Sequence, residues 1–404
     1  MSNGLTNSTG VKTPNVVYTF ATDSNVSDPA ARVSYLDSAF DFTVTDAQNL
    51  YKEHNRPCVV SRETGLPAYY LKWDDFNTTT DNTTAVLDGT DGDVMIEMDT
   101  VWWKAWKDGT KDMFSWTYEA PVGLPGFKPW GHYKGIDKVN DHFYGAVFKF
   151  NTNSSHATTG FGSINTDVNP QVSINMTTFE SSCKKGNGVV TTGSSNHSDY
   201  TIMRAPQYTL IRKMHDFVAK NTNSQAYFGN GWVSKSAAAP HNLGFDATHM
   251  MRATTPDTSG GAGVNSLGFN NLWGNVWEFC GQTAYANRKF KCNYLNDADS
   301  YVANISAANY ATLPSSWYES VNLSMPFPAS AGWQYPKDDL NEGPFAAFPG
   351  PTSGGSTGGY YCDGCYMPTS ATNNCVRFGG TWDNGAGAGV RCAYLNNALS
   401  YSSH

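Results

Sequence analysis

The chain has 404 residues, 40% of them hydrophobic, 14% aromatic and only 15% charged, with a formal net charge of −8. That length suits two or three domains, or one large domain with a smaller partner, and the apolar content allows a sizeable core. The acidic balance excludes the broad basic face of a nucleic-acid binder, while 38 Gly, 19 Pro and abundant Asn and Thr predict a loop-rich path set by turns.

The N-terminus is polar, with no basic region followed by an apolar run, so no secretory signal is expected. No stretch approaches the roughly 18 apolar residues of a membrane span, so no membrane insertion is expected. Residues 1–40 read as an extended lead-in with one short strand at Val17–Phe20. Thr43–Asn55 reads as a short helix capped by Thr45 or Asp46, with Ala47, Leu50 and Tyr51 on one apolar face. Pro57–Val60 and Leu66–Trp73 read as strands. The Thr/Asn/Asp/Gly run from Asn77 to Gly92 reads as a loop or hairpin tip, which places a module boundary there: 1–92 for attachment or oligomerisation, 93–404 for the main domain.

Asp93–Trp106 predicts one long strand, with Met95, Glu97, Asp99 and Val101 on one face and Val94, Ile96, Met98 and Thr100 on the other. Asp108-Gly109 predicts a turn, and Phe114–Tyr118 a returning strand. His142–Phe150 is the next strand. Residues 151–200 read as long loops, with a short strand at Val172–Met176. The best helix is Pro206–Asn221: Pro206 suits a first turn, and Leu210, Ile211, Met214, Phe217 and Val218 share a face, with Arg212, Lys213, Asp216 and Lys220 on other sides. Beyond it the chain reads as loops punctuated by aromatic anchors, including a Pro/Gly/Ser stretch from Leu313 to Gly359.

Little of this carries catalytic chemistry. His142, His215, His241 and His249 stand in no metal-ligand spacing and are read as structural or surface residues. The eight cysteines (Cys58, Cys183, Cys280, Cys292, Cys362, Cys365, Cys375, Cys392) are read as buried thiols. Cys362 and Cys365 have zinc or redox spacing, but they lie in loop sequence without two matching further ligands. Ser259–Val264 is glycine-rich without the strand–turn–helix setting of a phosphate loop. Asp81–Asp93 and Asn296–Asp299 lack the alternating ligand order of a calcium loop. Lys184-Lys185 is a small basic spot. No metal or cofactor is expected.

The last stretch, Phe378–His404, differs from everything before it. After Trp382 it contains no Lys, Glu, Gln, Met or Trp. It shows no lasting helical or strand period and offers few side chains for a packed core, so it is expected to be a working surface on a scaffold.

Three segments together resemble one superfold. Leu272–Phe279 is similar to a stretch of the formylglycine-generating-enzyme type of C-type lectin fold; the helix Pro206–Asn221 matches one of its helices loosely; Gly379–Trp382 with Gly389–Ala393 is similar to its C-terminal run. The resemblance spans about Asp93–His404. It implies an α+β, loop-rich C-type lectin fold of short strands and about two helices, behind a small N-terminal module. In the enzymatic branch, catalytic cysteines lie between the Gly-Gly turn and the Arg-Cys-Ala run; here Asp383–Val390 contains no thiol, so a copper-binding thiolate pair is not available there. The other branch comprises variable proteins of diversity-generating retroelements, including phage receptor-binding tail proteins. Gly379, Gly380, Trp382, Gly389, Arg391, Ala393, Ser400 and Ser402 match its pattern, and the missing residue types fit diversification at adenines. The departure is the end at His404, before the Gly-Ala-Arg segment of that pattern, which suggests a truncated sequence or a lost feature.

What this resemblance implies is a receptor- or ligand-binding protein, not an enzyme, on a phage tail tip in the virion or alternatively in the bacterial cytoplasm or on its surface. Its partners would be a host surface protein or glycan, other tail proteins and copies of itself, as a trimer if it is a tail protein. The expected variable surface, within 379–404, is Asp383, Asn384, Ala386, Ala388, Val390, Tyr394, Asn396, Asn397, Leu399, Tyr401, Ser403 and His404. The expected scaffold is Trp273, Gly274, Asn275, Trp277, Glu278, Gly379, Gly380, Trp382, Gly389 and Arg391. Exposed Tyr and Asn among small residues are also the vocabulary of antibody paratopes. The alternatives are a copper-dependent oxidase of the formylglycine-generating type and a fixed calcium-dependent lectin.

Overall fold

The computed structural model describes residues 16–36, 42–135, 138–149, 163–167, 169–170, 172–176, 178–179, 202–240, 242–295, 313–320, 328–370 and 374–398. In chain order the elements are β1 (Tyr18–Asp23), β2 (Val33–Tyr35), α1 (Val44–His54), β3 (Asn55–Val60), β4 (Pro67–Lys72), β5 (Asp75–Thr79), β6 (Asp93–Asp99), β7 (Trp102–Asp108) and β8 (Lys111–Thr117). Then come β9 (Tyr133–Gly135), β10 (Lys138–Val139), β11 (His142–Ala146), α2 (Ala205–Ala219), α3 (Ser224–Phe228), β12 (Asn265–Ser266) and β13 (Phe269–Asn270). The C-terminal part holds β14 (Glu278–Ala286), β15 (Lys289–Cys292), β16 (Tyr318–Glu319), β17 (Gly332–Gln334), β18 (Cys365–Met367), β19 (Asn374–Gly379) and β20 (Gly389–Asn397). The molecule is mixed α and β, mostly sheet and loop, as the α+β expectation required.

Three sheets organise it, with strand orders β2-β1-β8-β7, β11-β6-β3-β4-β5 and β16-β15-β14-β19-β20-β18-β17. The expected division at 92/93 falls between strands that share sheets: β3 pairs with β6 from Asn55↔Met98 to Val60↔Asp93, and β1 pairs with β8. The described part of the N-terminal 92 residues is therefore woven into the same sheets and core as the chain from Asp93 onward.

The long strand expected over 93–106 is two strands. The chain changes sheets at Thr100–Val101, where Thr100 donates its N–H to the Asp141 carbonyl and its hydroxyl to that of Asn140. Up to that point the two faces are as read: Val94, Ile96 and Met98 enter the main core, while Met95 packs with Cys58 and Val60. The Asn77–Gly92 run is partly strand, since β5 takes its first residues. No strand forms at 172–176.

Helix α1 buries Ala47, Leu50 and Tyr51 as predicted, but its cap is Thr43. The Thr43 hydroxyl accepts from the Asp46 N–H at 3.2 Å while the Asp46 carboxylate accepts from the Thr43 N–H at 2.8 Å, a reciprocal capping box. Helix α2 begins with Pro206 in its first turn and ends at Lys220 in the left-handed conformation. Its supposedly outward residues Arg212, Lys213 and Asp216 are buried. The reason is position. Leu210, Ile211, Met214 and Phe217 pack toward the core shared with the first two sheets, and Ala205 and Tyr208 toward the core of the seven-stranded sheet. A helix with cores on both flanks has no wet face, so its charges must find partners inside.

Candidate recognition surface

The closing stretch is not the coreless loop its composition suggests. It supplies β20, fifth from the β16 edge, flanked by β19 (antiparallel) and β18 (parallel). Ala388, Val390, Cys392, Ala393 and Leu395 are buried. Two expected surface positions, Ala388 and Val390, are thus corrected to core. Composition misled because small side chains fill a closely packed sheet–helix interface as well as they fill a loop.

Two segments distant in sequence seat this strand against each other. Gly274 donates its N–H to the Gly379 carbonyl at 3.0 Å, and Trp382 donates its N–H to the Asn275 carbonyl at 3.1 Å. The buried Asn275 amide bonds Ala239 twice, accepting from its N–H and donating to its carbonyl. Gly380 sits at φ +84°, and a Cβ there would come within 2.8 Å of the Ala388 Cβ, so only glycine fits. Trp273 is fully buried, while Trp277 and Glu278 are half-buried. The Glu278 carboxylate accepts from Lys149 Nζ at 2.5 Å and from the Tyr208 hydroxyl at 3.0 Å. From Trp382 the chain passes through a short 3-10 turn, Gly385–Gly387, tied down by Gly385 N–H to the Val233 carbonyl and by the Gln225 amide to the carbonyls of Gly385 and Ala388. The Asn384 side-chain oxygen accepts from the Thr381 N–H at 2.7 Å, so this expected surface residue also holds the turn.

The inner side of β20 carries charge. Arg391, expected as scaffold, donates two parallel bonds to Asp216 at 2.6 and 2.5 Å and also reaches Asp339. Lys213 pairs with Asp339 at 2.7 Å. Asp339 N–H donates to Asp112, whose carboxylate pairs with Lys107, which in turn pairs with Asp338. Burial alone would raise the Asp339 pKa, but Arg391 and Lys213 outweigh it and hold it at about 2. Asp363 differs. Its carboxylate accepts the Arg391 backbone N–H at 2.7 Å, and burial pushes its pKa up to about 8 against that bond. Arg212, stacked 3.6 Å over the Phe378 ring, donates to the Val390 carbonyl.

The outer side is aromatic. Tyr394 stacks on Tyr366 with centroids 4.5 Å apart and planes 2° from parallel. Trp333 meets Tyr366 edge-on at 5.3 Å, and Trp277 meets Tyr394 at 5.5 Å. The Arg377 guanidinium lies 4.8 Å from the Tyr394 ring centre and 5.8 Å from that of Trp277. All four rings are half-buried, as are Asn384, Asn396 and Asn397, while Asp383 and Ala386 are exposed. With its amide turned to satisfy both ends, Asn397 accepts from Arg377. Sequence reading missed Trp333, Tyr366 and Arg377. The only local signal was a brief alternation, Cys365-Tyr366-Met367, inside loop-like sequence. Leu399, Tyr401, Ser403 and His404 lie outside the described residues, as do Ser400, Ser402, Lys184, Lys185, His241, Cys183 and the segment Asn296–Asp299.

Elsewhere, reactive chemistry is muted. The seven described cysteines are buried free thiols; burial raises Cys362 and Cys280 to about 12 and Cys375 to about 11. Such thiols are poor nucleophiles. His215 is held neutral, its pKa lowered by burial and then by Arg391 and Arg212 to about 3. His249 pairs with Asp246 at the surface, and His142 bonds the Tyr144 hydroxyl. Among the described residues no cluster of three or more His, Cys, Asp or Glu is placed to hold a metal, and no helix is long and apolar enough to cross a membrane. A scan against known protein families gives no match, and a comparison with curated proteins gives none either.

Proposed function

We propose that this chain is a recognition protein rather than an enzyme, with a C-type lectin fold of the formylglycine-generating-enzyme type. Its C-terminal turn and strand display a surface diversified by a retroelement, carried as a homotrimer on a phage tail tip to bind a host surface protein or glycan. The observation that carries this reading is the two-sided role of the closing stretch. The contacts of Gly274 with Gly379 and of Asn275 with Trp382 hold its backbone, its inward residues are core, and Asp383, Ala386, Tyr394 and Asn396 face outward or lie at the rim. A surface meant to vary needs such a fixed backbone under changeable side chains. The absence of any thiol from Asp383 to Val390, with Cys392 buried beside them, supports binding over thiol oxidation.

Adsorption of the purified chain to a panel of bacterial strains tests the reading. Replacing Asp383, Ala386, Tyr394 and Asn396 together should change which strains are bound without changing the thermal midpoint by more than a few degrees. Unaltered adsorption, or copper-dependent oxidation of a cysteine peptide by the chain, would overturn it.

A further inference from the structure

We propose that the ligand-contacting surface extends beyond the closing stretch onto Trp333 and Tyr366, and that this aromatic row takes a neutral oligosaccharide. The inference rests on the recognition reading above and assigns its ligand class.

The row runs across neighbouring strands, Trp333 on β17, Tyr366 on β18 and Tyr394 on β20, with Trp277 beyond. Its length is about three strand spacings, the reach of a short oligosaccharide. Trp333 packs closely on the backbone: a Cβ at Gly364 would stand 2.6 Å from its ring, and the indole is half-buried, so part of it remains accessible. The stacked tyrosines adjoin it, and Asn396, half-buried, follows Tyr394 by two residues on β20 and so shares its face. A pyranose has the matching two-sided chemistry: a C–H face whose hydrogens are drawn to the negative face of an aromatic ring, and a rim of hydroxyls that amides and phenols can bond.

Charge selects among sugars. Among the described residues the cation in the row is Arg377, which is 2% exposed and already engaged by the Tyr394 and Trp277 rings. The turn that follows Trp382 carries the Asp383 carboxylate. A sialylated or sulfated glycan would therefore gain no accessible cation from these rings, whereas a neutral one loses nothing. Because Trp333, Tyr366 and Arg377 lie outside the variable stretch, they form a constant platform, and Tyr394 and Asn396 select which sugar lies on it.

The test is titration of the full chain with neutral hexose and N-acetylhexosamine oligosaccharides and their sialylated and sulfated counterparts, followed by tryptophan fluorescence. A neutral oligosaccharide should bind with a change in emission. Trp333→Ala and Tyr366→Ala should each weaken it at least about tenfold, and the ring-keeping Trp333→Phe and Tyr366→Phe should restore most of the affinity. Binding only of the charged sugars, or of none at millimolar concentration, overturns the ligand class. Binding lost in Tyr394→Ser and Asn396→Ala but unchanged in Trp333→Ala and Tyr366→Ala overturns the extended platform while leaving the recognition reading intact.

Discussion

Arg391 and Tyr394 lie on the same strand and belong to different worlds. Arg391 is buried, gripped by two carboxylates from α2 and the 338–341 segment, and its backbone is pinned by Asp363. Tyr394 is half-exposed and touches other rings. The contrast teaches how one stretch can be both structural and free to change. The inner residues are over-determined by charge and packing, so the outer ones can vary without moving the backbone.

The sharpest way to break that comparison is to remove the inner anchor. Arg391→Ala leaves Asp216 and Asp339 buried without their guanidinium, and loss of one partner of such a network costs about 3–5 kcal/mol. Urea unfolding should show the midpoint falling by a large fraction of its wild-type value; a loss no larger than that of Tyr394→Ala would erase the distinction.

The pH dependence divides the inner groups further. Asp363 has a folded pKa raised to about 8, against about 4 in an unfolded chain. The folded state therefore keeps a proton that the unfolded state releases. Through this group stability is greatest below about pH 4 and falls as pH rises toward 8, by up to about 1.4 kcal/mol per pH unit. Asp339, held at about 2, works the other way: its contribution is present above the unfolded value and is lost as pH falls through about 2. Asp363→Asn should flatten the decline between about pH 5 and about pH 8 in urea midpoints; an unchanged slope would mean that Asp363 is already ionised.

The mildest and most local comparison uses one substitution twice. Ala388→Leu overpacks a site where Gly380 already lies close, and should cost about 1–3 kcal/mol. Ala386→Leu, on the exposed turn, should stay within about 0.5 kcal/mol of the parent. Equal thermal shifts for the two would contradict the division into inner and outer residues.

Much of the scaffold was legible in the chain. Helix α1 and its buried face, the start of α2, the β7–β8 turn and the two faces of β6 all follow from local period and turn chemistry, which act over a few residues. Trp273–Asn275 and Gly379–Trp382 stood out in the sequence only through the resemblance they carry; their joining bonds and the close approach at Gly380 came from the tertiary structure. The sequence could not show that Arg212, Lys213 and Asp216 turn inward, because their burial depends on a second core supplied by strands from far along the chain. Nor could it separate Ala388 and Val390 from Ala386, since small residues look alike until a neighbour such as Gln225 or Arg212 closes over them. By itself the sequence determined which segments could be strand, helix or turn, and that the closing stretch is chemically unlike the rest. The tertiary structure alone decided which side of that stretch is core and which is surface, because inside and outside are set by long-range pairing, and a side chain's partners there come from strands and helices that local composition does not describe.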